Sequence, residues 1–273
     1  MIRGNALMLT APAIRFTMED PLRRALHGAD LTLIRKTTNL PALHPPCRFG
    51  AGCEAAERRP LLFRSMNKTC VYIDGFNLYY GSLRKTPHRW LDLEQLCRLM
   101  LPPNEVQRIN YYTARVGARL GDPEQPIRQQ AYLRALGTLP TVRVHFGHYL
   151  SHPVWMPLHR PAPGGPRFAR VIKTEEKGSD VNLATHLVRD AYENAFDCAV
   201  LITNDSDLRE PVDLVRNRLG KLVGVLNPQK YPAVVLTKVA TFIKTIRPGV
   251  LQASQFPDEI TDARGTFAKP ASW

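Results

Sequence analysis

The chain has 273 residues; 22% are charged, and 37 lysines and arginines against 24 acids give a net charge of +13. That length permits one large domain or a domain with an appendage, with enough apolar residues for a packed core. No apolar run approaches the roughly 18 residues of a membrane span, and a basic excess of this size points to a polyanionic partner, RNA or DNA, with a merely basic soluble surface as the plainer reading.

Residues 1 to 65 differ from the rest. Prolines and arginines are scattered, arginine outnumbers lysine nine to one, and the apolar residues keep no period. This stretch is expected to be either disordered or an upstream extension of the gene model, with Met66 as the start of the folded part. A basic tail for nucleic acid is the weaker reading. The early apolar stretch is short and broken by Arg15, unlike a signal peptide.

From Thr69 the chain alternates between two periods. Thr69 to Ile73 reads as a buried strand, and Leu91 to Leu101 as a helix with apolar residues at Leu93, Leu96, Cys97 and Met100. Ile109 to Ala114 reads as a strand and Ile127 to Leu136 as a helix. Val142, Val144 and Phe146 alternate as in a strand. His152 to Arg170 breaks the pattern with five prolines and two glycines. It reads as a flexible loop whose Trp155, His159, Arg160, Arg167, Phe168 and Arg170 either grip a nucleic-acid strand or form a surface insertion without a role. Val181 to Asn194 is an amphipathic helix. A strand at 199–203, a helix at 208–219, a strand from Leu222 to Leu226 and a last helix from Val234 to Lys244 follow. Strands alternating with helices imply parallel pairing through right-handed crossovers. The expected fold is α/β, a three-layer α/β/α sandwich with a mainly parallel central sheet.

Five scattered cysteines, Cys47, Cys53, Cys70, Cys97 and Cys198, fit no paired zinc knuckle and argue for a reducing compartment. The cytoplasm is therefore the expected location, without a membrane partner.

Three acidic motifs carry the chemistry. Asp74-Gly75-Phe76-Asn77 follows the first strand, where a carboxylate faces the crevice of an open α/β sheet. Gly75 permits a sharp turn, and Asn77 is placed to bind a phosphate oxygen or orient Asp74. Alone, Asp-Gly is a common turn pair. Lys177-Gly178-Ser179-Asp180 opens a helix. Ser179 or Asp180 is an ordinary N-cap on one reading; on the other, Asp180 points to the sheet's end, Lys177 holds a phosphate and Asn182 reaches the same region. Thr203-Asn204-Asp205-Ser206-Asp207 follows a buried strand. Asp207 with Glu210 resembles a capping box, but two acids with Thr203, Asn204 and Ser206 around them exceed what a cap requires. Carboxylates gathered in one crevice repel one another unless a hard cation sits among them. Mg²⁺ or Mn²⁺ is the expected cofactor, held by Asp74, Asp180, Asp205 and Asp207, the candidate catalytic and metal ligands. Asn77, Lys177, Ser179, Asn182, Thr203, Asn204 and Ser206 are the candidate substrate contacts.

From about Cys70 to Pro257 the chain resembles the NYN domain family, a branch of the PIN-like nucleases, and within it the bacterial LabA-like branch. The resemblance rests on Ile73 to Asn77, on Glu176 to Val181, on Thr203 to Leu208 and on the segment Ile246 to Ser254. It frames a domain over 66–257 with a tail at 258–273. It implies a PIN-like fold, metal-dependent cleavage of single-stranded or structured RNA, and pairing into a homodimer as PIN-like domains frequently do. Asp74, Asp180, Asp205 and Asp207 occupy the family's acidic positions. Asn204 stands where many relatives have glycine, and Leu208 where they often have phenylalanine. The alternative is a catalytically inactive NYN-type RNA-binding or regulatory module. An aspartyl phosphatase ranks lower, because Phe76 occupies the place of its second acid.

Overall fold

The computed structural model describes residues 67–118 and 121–273. The expectation for residues 1 to 65 lies outside them, as do Cys47 and Cys53.

Strand β1 (Asn67–Asp74) is buried from Thr69 onward. It runs straight into α1 (Gly75–Leu78), which continues as one π-helical turn over Tyr79–Leu83. Helix α2 (Leu93–Met100) starts where the Asp92 carboxylate accepts from the Gln95 amide at 2.9 Å, and it buries Leu93, Leu96, Cys97 and Met100 as their spacing predicts. Then come β2 (Asn104–Thr113), α3 (Gln125–Leu136) and β3 (Val142–Phe146). The antiparallel pair β4 (His148–Pro157) and β5 (Phe168–Lys177) precedes α4 (Ser179–Tyr192) and β6 (Cys198–Ile202). The expected helix 208–219 is present but changes pitch: a 3-10 turn Ser206–Leu208, α5 (Arg209–Asp213) and a π-helical turn Leu214–Arg218. The chain ends with β7 (Leu222–Asn227), α6 (Val234–Val239), β8 (Phe242–Thr245), α7 (Pro248–Ala253) and the hairpin β9 (Glu259–Asp262) with β10 (Gly265–Ala268).

Six strands form one sheet in the order β3-β2-β1-β6-β7-β8, and every neighbouring pair is parallel. Central strands of such a sheet are covered on both faces, so they read as unbroken apolar runs; β6, Cys-Ala-Val-Leu-Ile, is buried throughout. Alternate residues of β1 feed two cores. Val71 and Ile73 pack with α2, Tyr111 and Tyr132 on one face, while Cys70 and Tyr72 pack with Leu183, Leu187 and Val212 on the other. This is the expected three-layer α/β/α sandwich. Order reverses at β1: the chain moves outward to β3 on one side and resumes at β6 on the other. A crevice opens at the carboxyl ends of β1 and β6, where open α/β sheets bind ligands.

Three local expectations change. The last helix ends at Val239 rather than Lys244, because Thr241-Phe242-Ile243 is β-branched and aromatic and adds β8 to the sheet beside β7. The proline-rich segment is not a flexible loop: β4 and β5 pair in register from His148↔Lys177 to Pro157↔Phe168. Its prolines are tolerated because, among the described residues, β4 pairs with β5 alone, and an edge strand has amides to spare. Residues 258–273, framed as a tail, fold back through the hairpin, and Trp273 joins the rings around the fully buried Trp90 at 6.2 Å. Among the described residues, no helix is long and apolar enough to cross a membrane.

Candidate active site

A cleft of roughly 360 Å³ opens at the switch point, lined by Asp74, Phe76, Asn77, Tyr80, Tyr149, Glu176, Ser179, Asp180, Asp205 and Gln229. Asp74 ends β1, and its carboxylate accepts from the Asn77 amide at 2.9 Å and from the Thr203 hydroxyl at 3.3 Å. Thr203 is fully buried, and its Oγ1 also accepts from the Asp205 amide at 3.1 Å. One hydroxyl thus ties the ends of β1 and β6 together. Gly75 has to be glycine for reasons of space: a Cβ there would lie 2.7 Å from the Tyr111 ring and from the Tyr112 carbonyl.

Asp180 enters from the first turn of α4. Neither it nor Ser179 caps that helix. The N-cap is Gly178, at φ +97°, where a side chain would be strained. Glu176 caps instead: its carboxylate accepts from the Ser179 amide at 3.2 Å and from the Ser179 hydroxyl at 2.6 Å. Asp205 is the residue that caps the 3-10 turn, accepting from the Asp207 amide at 3.0 Å. Asp207, expected as a cap or ligand, is exposed and outside the cleft lining.

The acids repel one another. Burial, and then the negative charges of Asp180 and Asp205, push the Asp74 carboxyl up to about 6, against the bonds from Asn77 and Thr203. Asp180 is raised by burial first, then by Asp205, Glu176 and Asp207. Among the described residues, no three His, Cys, Asp or Glu side chains stand close enough to hold a metal ion as they are now arranged. The donor chemistry nonetheless fits a hard cation: Asp74, Asp180, Asp205 and Glu176 supply oxygen ligands only, and their mutual repulsion leaves negative charge uncompensated. A second cleft of roughly 720 Å³, between α3 and the C-terminal hairpin, lacks this property, since its acid Asp262 is held by Arg134 at 2.6 and 2.8 Å.

The other expected contacts separate. Asn77 lies in the cleft, with its Oδ1 accepting from the Asn204 amide at 3.0 Å. Asn204 is committed to its loop: it donates to Gln229 at 2.9 Å and to the Tyr231 carbonyl at 3.0 Å, and accepts from the Ala233 amide at 2.6 Å. Lys177 sits 3.4 Å from Glu175, and neither it, Asn182 nor Ser206 lines the cleft. Phe76, Tyr80, Tyr149, Glu176 and Gln229 also line it, beyond the residues expected from sequence. Glu176 was visible inside its motif. Tyr149 and Gln229 come from distant segments with no signal of their own. A smaller pocket of roughly 120 Å³ shares the Phe76 and Tyr80 wall and is lined further by Tyr79, Arg89, Tyr111 and Tyr132.

The architecture is an α/β sandwich with carboxylates at its switch point. The NYN domain model matches residues 68–247, which gives it a nuclease-like fold, and the chain belongs to the NYN domain family. It is 32% identical over 237 residues to 6-hydroxy-3-succinoylpyridine 3-monooxygenase HspA of Pseudomonas putida (strain DSM 28022 / S16), covering 76% of this chain and 75% of that protein. It is also similar to a crystal structure of a protein of unknown function from Vibrio parahaemolyticus. That match has 20% identity and a TM-score of 0.43, over 67% of this chain and 94% of the other.

Proposed function

We propose that this protein is a ribonuclease that hydrolyses RNA phosphodiester bonds with the help of Mg²⁺ or Mn²⁺. The observation that carries the proposal is the convergence of Asp74, Asp180 and Asp205, from three separate elements, on one cleft at the β1–β6 switch point. Asp74, Asp180 and Asp205 would hold the cation, with Glu176 beside them and Asp207 at the rim. A divalent ion bound there supplies an acidified water and charge neutralisation at the phosphoryl oxygens. The chain's own residues do the positioning. Thr203 and the Asn77 amide fix the Asp74 carboxylate. Asn77 and Gln229 offer amide groups along the cleft wall, and Phe76, Tyr80 and Tyr149 offer ring faces for bases. Products are expected to carry 5′-phosphate and 3′-hydroxyl ends. His186 is bound to the Tyr112 hydroxyl at 3.0 Å and is absent from the cleft lining, which fits a structural role rather than that of a base.

The test is incubation of the full chain with labelled single-stranded RNA in Mn²⁺, in Mg²⁺ and in EDTA, beside Asp205→Asn. Metal-dependent cleavage that disappears in the variant is expected. RNA binding without cleavage in every lane would favour an inactive RNA-binding module instead.

The named relative supports a second reading, oxidation of a heteroaromatic acid. The aromatic pocket beside the cleft, with Arg89 in its wall, has a suitable lining. As a monooxygenase reaction it would place one atom of O₂ on the ring and reduce the other to water with two electrons from an added reductant. O₂ uptake dependent on a hydroxypyridine carboxylic acid and on that reductant, in protein that leaves RNA intact, would decide for it.

A further inference from the structure

We infer that one face of the β4–β5 ribbon is a stacking track that feeds single-stranded RNA into the acidic cleft. This rests on the ribonuclease reading and names how that site takes its substrate. Directly paired residues of an antiparallel ribbon share a face. The pair Tyr149↔Glu176 lies at the root, and both residues line the cleft. The same face continues outward through Ser151↔Thr174, Pro153↔Ile172, Trp155↔Arg170 and Pro157↔Phe168. From Tyr149 to Trp155 it runs for about 20 Å at strand rise.

That face is the more open of the two: its large apolar residues Trp155, Ile172 and Phe168 are 69%, 71% and 55% exposed, against 48%, 44% and 37% for Leu150, Met156 and Val171 on the opposite face, where His152, Val154 and Ala169 are half-covered. Exposed rings flanked by cations are what base stacking with phosphate contact requires. The cations are available. Lys173 and Lys177 are paired with Glu175, but the side chains of Arg160, Arg167 and Arg170 form no ion pair or hydrogen bond among the described residues.

Two features disfavour a second copy of the chain as the occupant. A two-fold interface sets the same patch against itself, which would bring the unpaired arginines face to face. Edge-to-edge strand addition is hindered along β4, where Pro153 and Pro157 lack amide donors.

The experiment is an anisotropy titration of the full chain with a short fluorescein-labelled single-stranded RNA in EDTA, so that cleavage does not enter. Trp155→Ala, Trp155→Phe and Arg170→Ala are compared with wild type, and light scattering follows oligomeric state. Trp155→Ala is expected to weaken binding roughly tenfold, as loss of one stacked base does, with Trp155→Phe retaining most of the affinity. Arg170→Ala should weaken binding and flatten its salt dependence. Wild-type binding that both alanine variants leave unchanged overturns the track while the ribonuclease reading stands. Failure of the wild type to bind RNA overturns the track, and the ribonuclease reading is then decided by the cleavage assay in Mn²⁺. A change of oligomeric state in Trp155→Ala, with RNA affinity intact, overturns the track by making the ribbon an interface between copies.

Discussion

Replacing Asp74 with asparagine is expected to stabilise the metal-free protein. The Asp74 carboxyl is held at about 6 in the fold against an ordinary 3.8, by burial and by the charges of Asp180 and Asp205. At about 1.4 kcal/mol per tenfold, its ionised form costs on the order of 3 kcal/mol at neutral pH. Asparagine keeps the bond from the Asn77 amide, and its NH₂ group faces the Thr203 hydroxyl, which is able to accept. The amide still pays for its own burial, so the net gain is about 1–2 kcal/mol. The sign follows from the raised value. Below pH 3.8 the group is protonated whether folded or not, and its penalty is absent. The penalty grows as pH rises from 3.8 to about 6 and is constant above that. Urea unfolding in EDTA, at pH values on both sides of this window, measures it as the difference between variant and wild type. A pH-independent difference, or destabilisation at neutral pH, would refute the reasoning. Repeating the neutral titration with Mn²⁺ adds a second check: the wild-type midpoint should rise while that of Asp74→Asn stays nearly fixed, because a neutral amide is a poor ligand for a hard cation.

Gly75→Ala should cost about 1–3 kcal/mol, since the new methyl meets the Tyr111 ring and the Tyr112 carbonyl; a variant with wild-type urea midpoint would show that this junction is loose. Trp90→Ala should cost about 3–5 kcal/mol, as the indole is fully buried among Tyr132, Phe256 and Trp273 and donates to the Pro257 carbonyl at 2.8 Å; thermal melts report it. Burial lowers both His145 and His186 below 6.5, helped at His145 by His186, Arg108, Arg143 and Arg189, and at His186 by Arg189 and Arg108 with Asp190 opposing. Their contribution is therefore complete above pH 6.5 and is lost as pH falls through their folded values. Wild type should lose stability on acidification relative to a His145→Gln, His186→Gln double variant, and parallel pH profiles would count against it.

The parallel sandwich was legible because its signals are local. Buried strands such as Cys198–Ile202 read as apolar runs, α2 and α4 show one-sided spacing, and each acid follows a strand or opens a helix. Positions along the chain therefore revealed Asp74, Asp180 and Asp205 as candidates before any contact was known. Local signals failed where partners across space decide. Residues 242–245 are a strand because β7 offers an edge and Gly224 leaves room for Phe242. Residues 148–177 are a ribbon because two proline-punctuated segments find each other in register.

Capping differs from expectation for the same reason, since a side chain's partner depends on where it points: Glu176 serves α4, and Asp205 rather than Asp207 serves the turn after β6. Periodicity and turn chemistry act over a few residues, so the alternation of elements and the inventory of carboxylates are already written in the amino-acid sequence. Which of those carboxylates share a cleft, and that Tyr149, Glu176 and Gln229 join them, is set by the folded arrangement. Proximity between residues far apart in the chain comes from strand order and packing, which no single segment encodes.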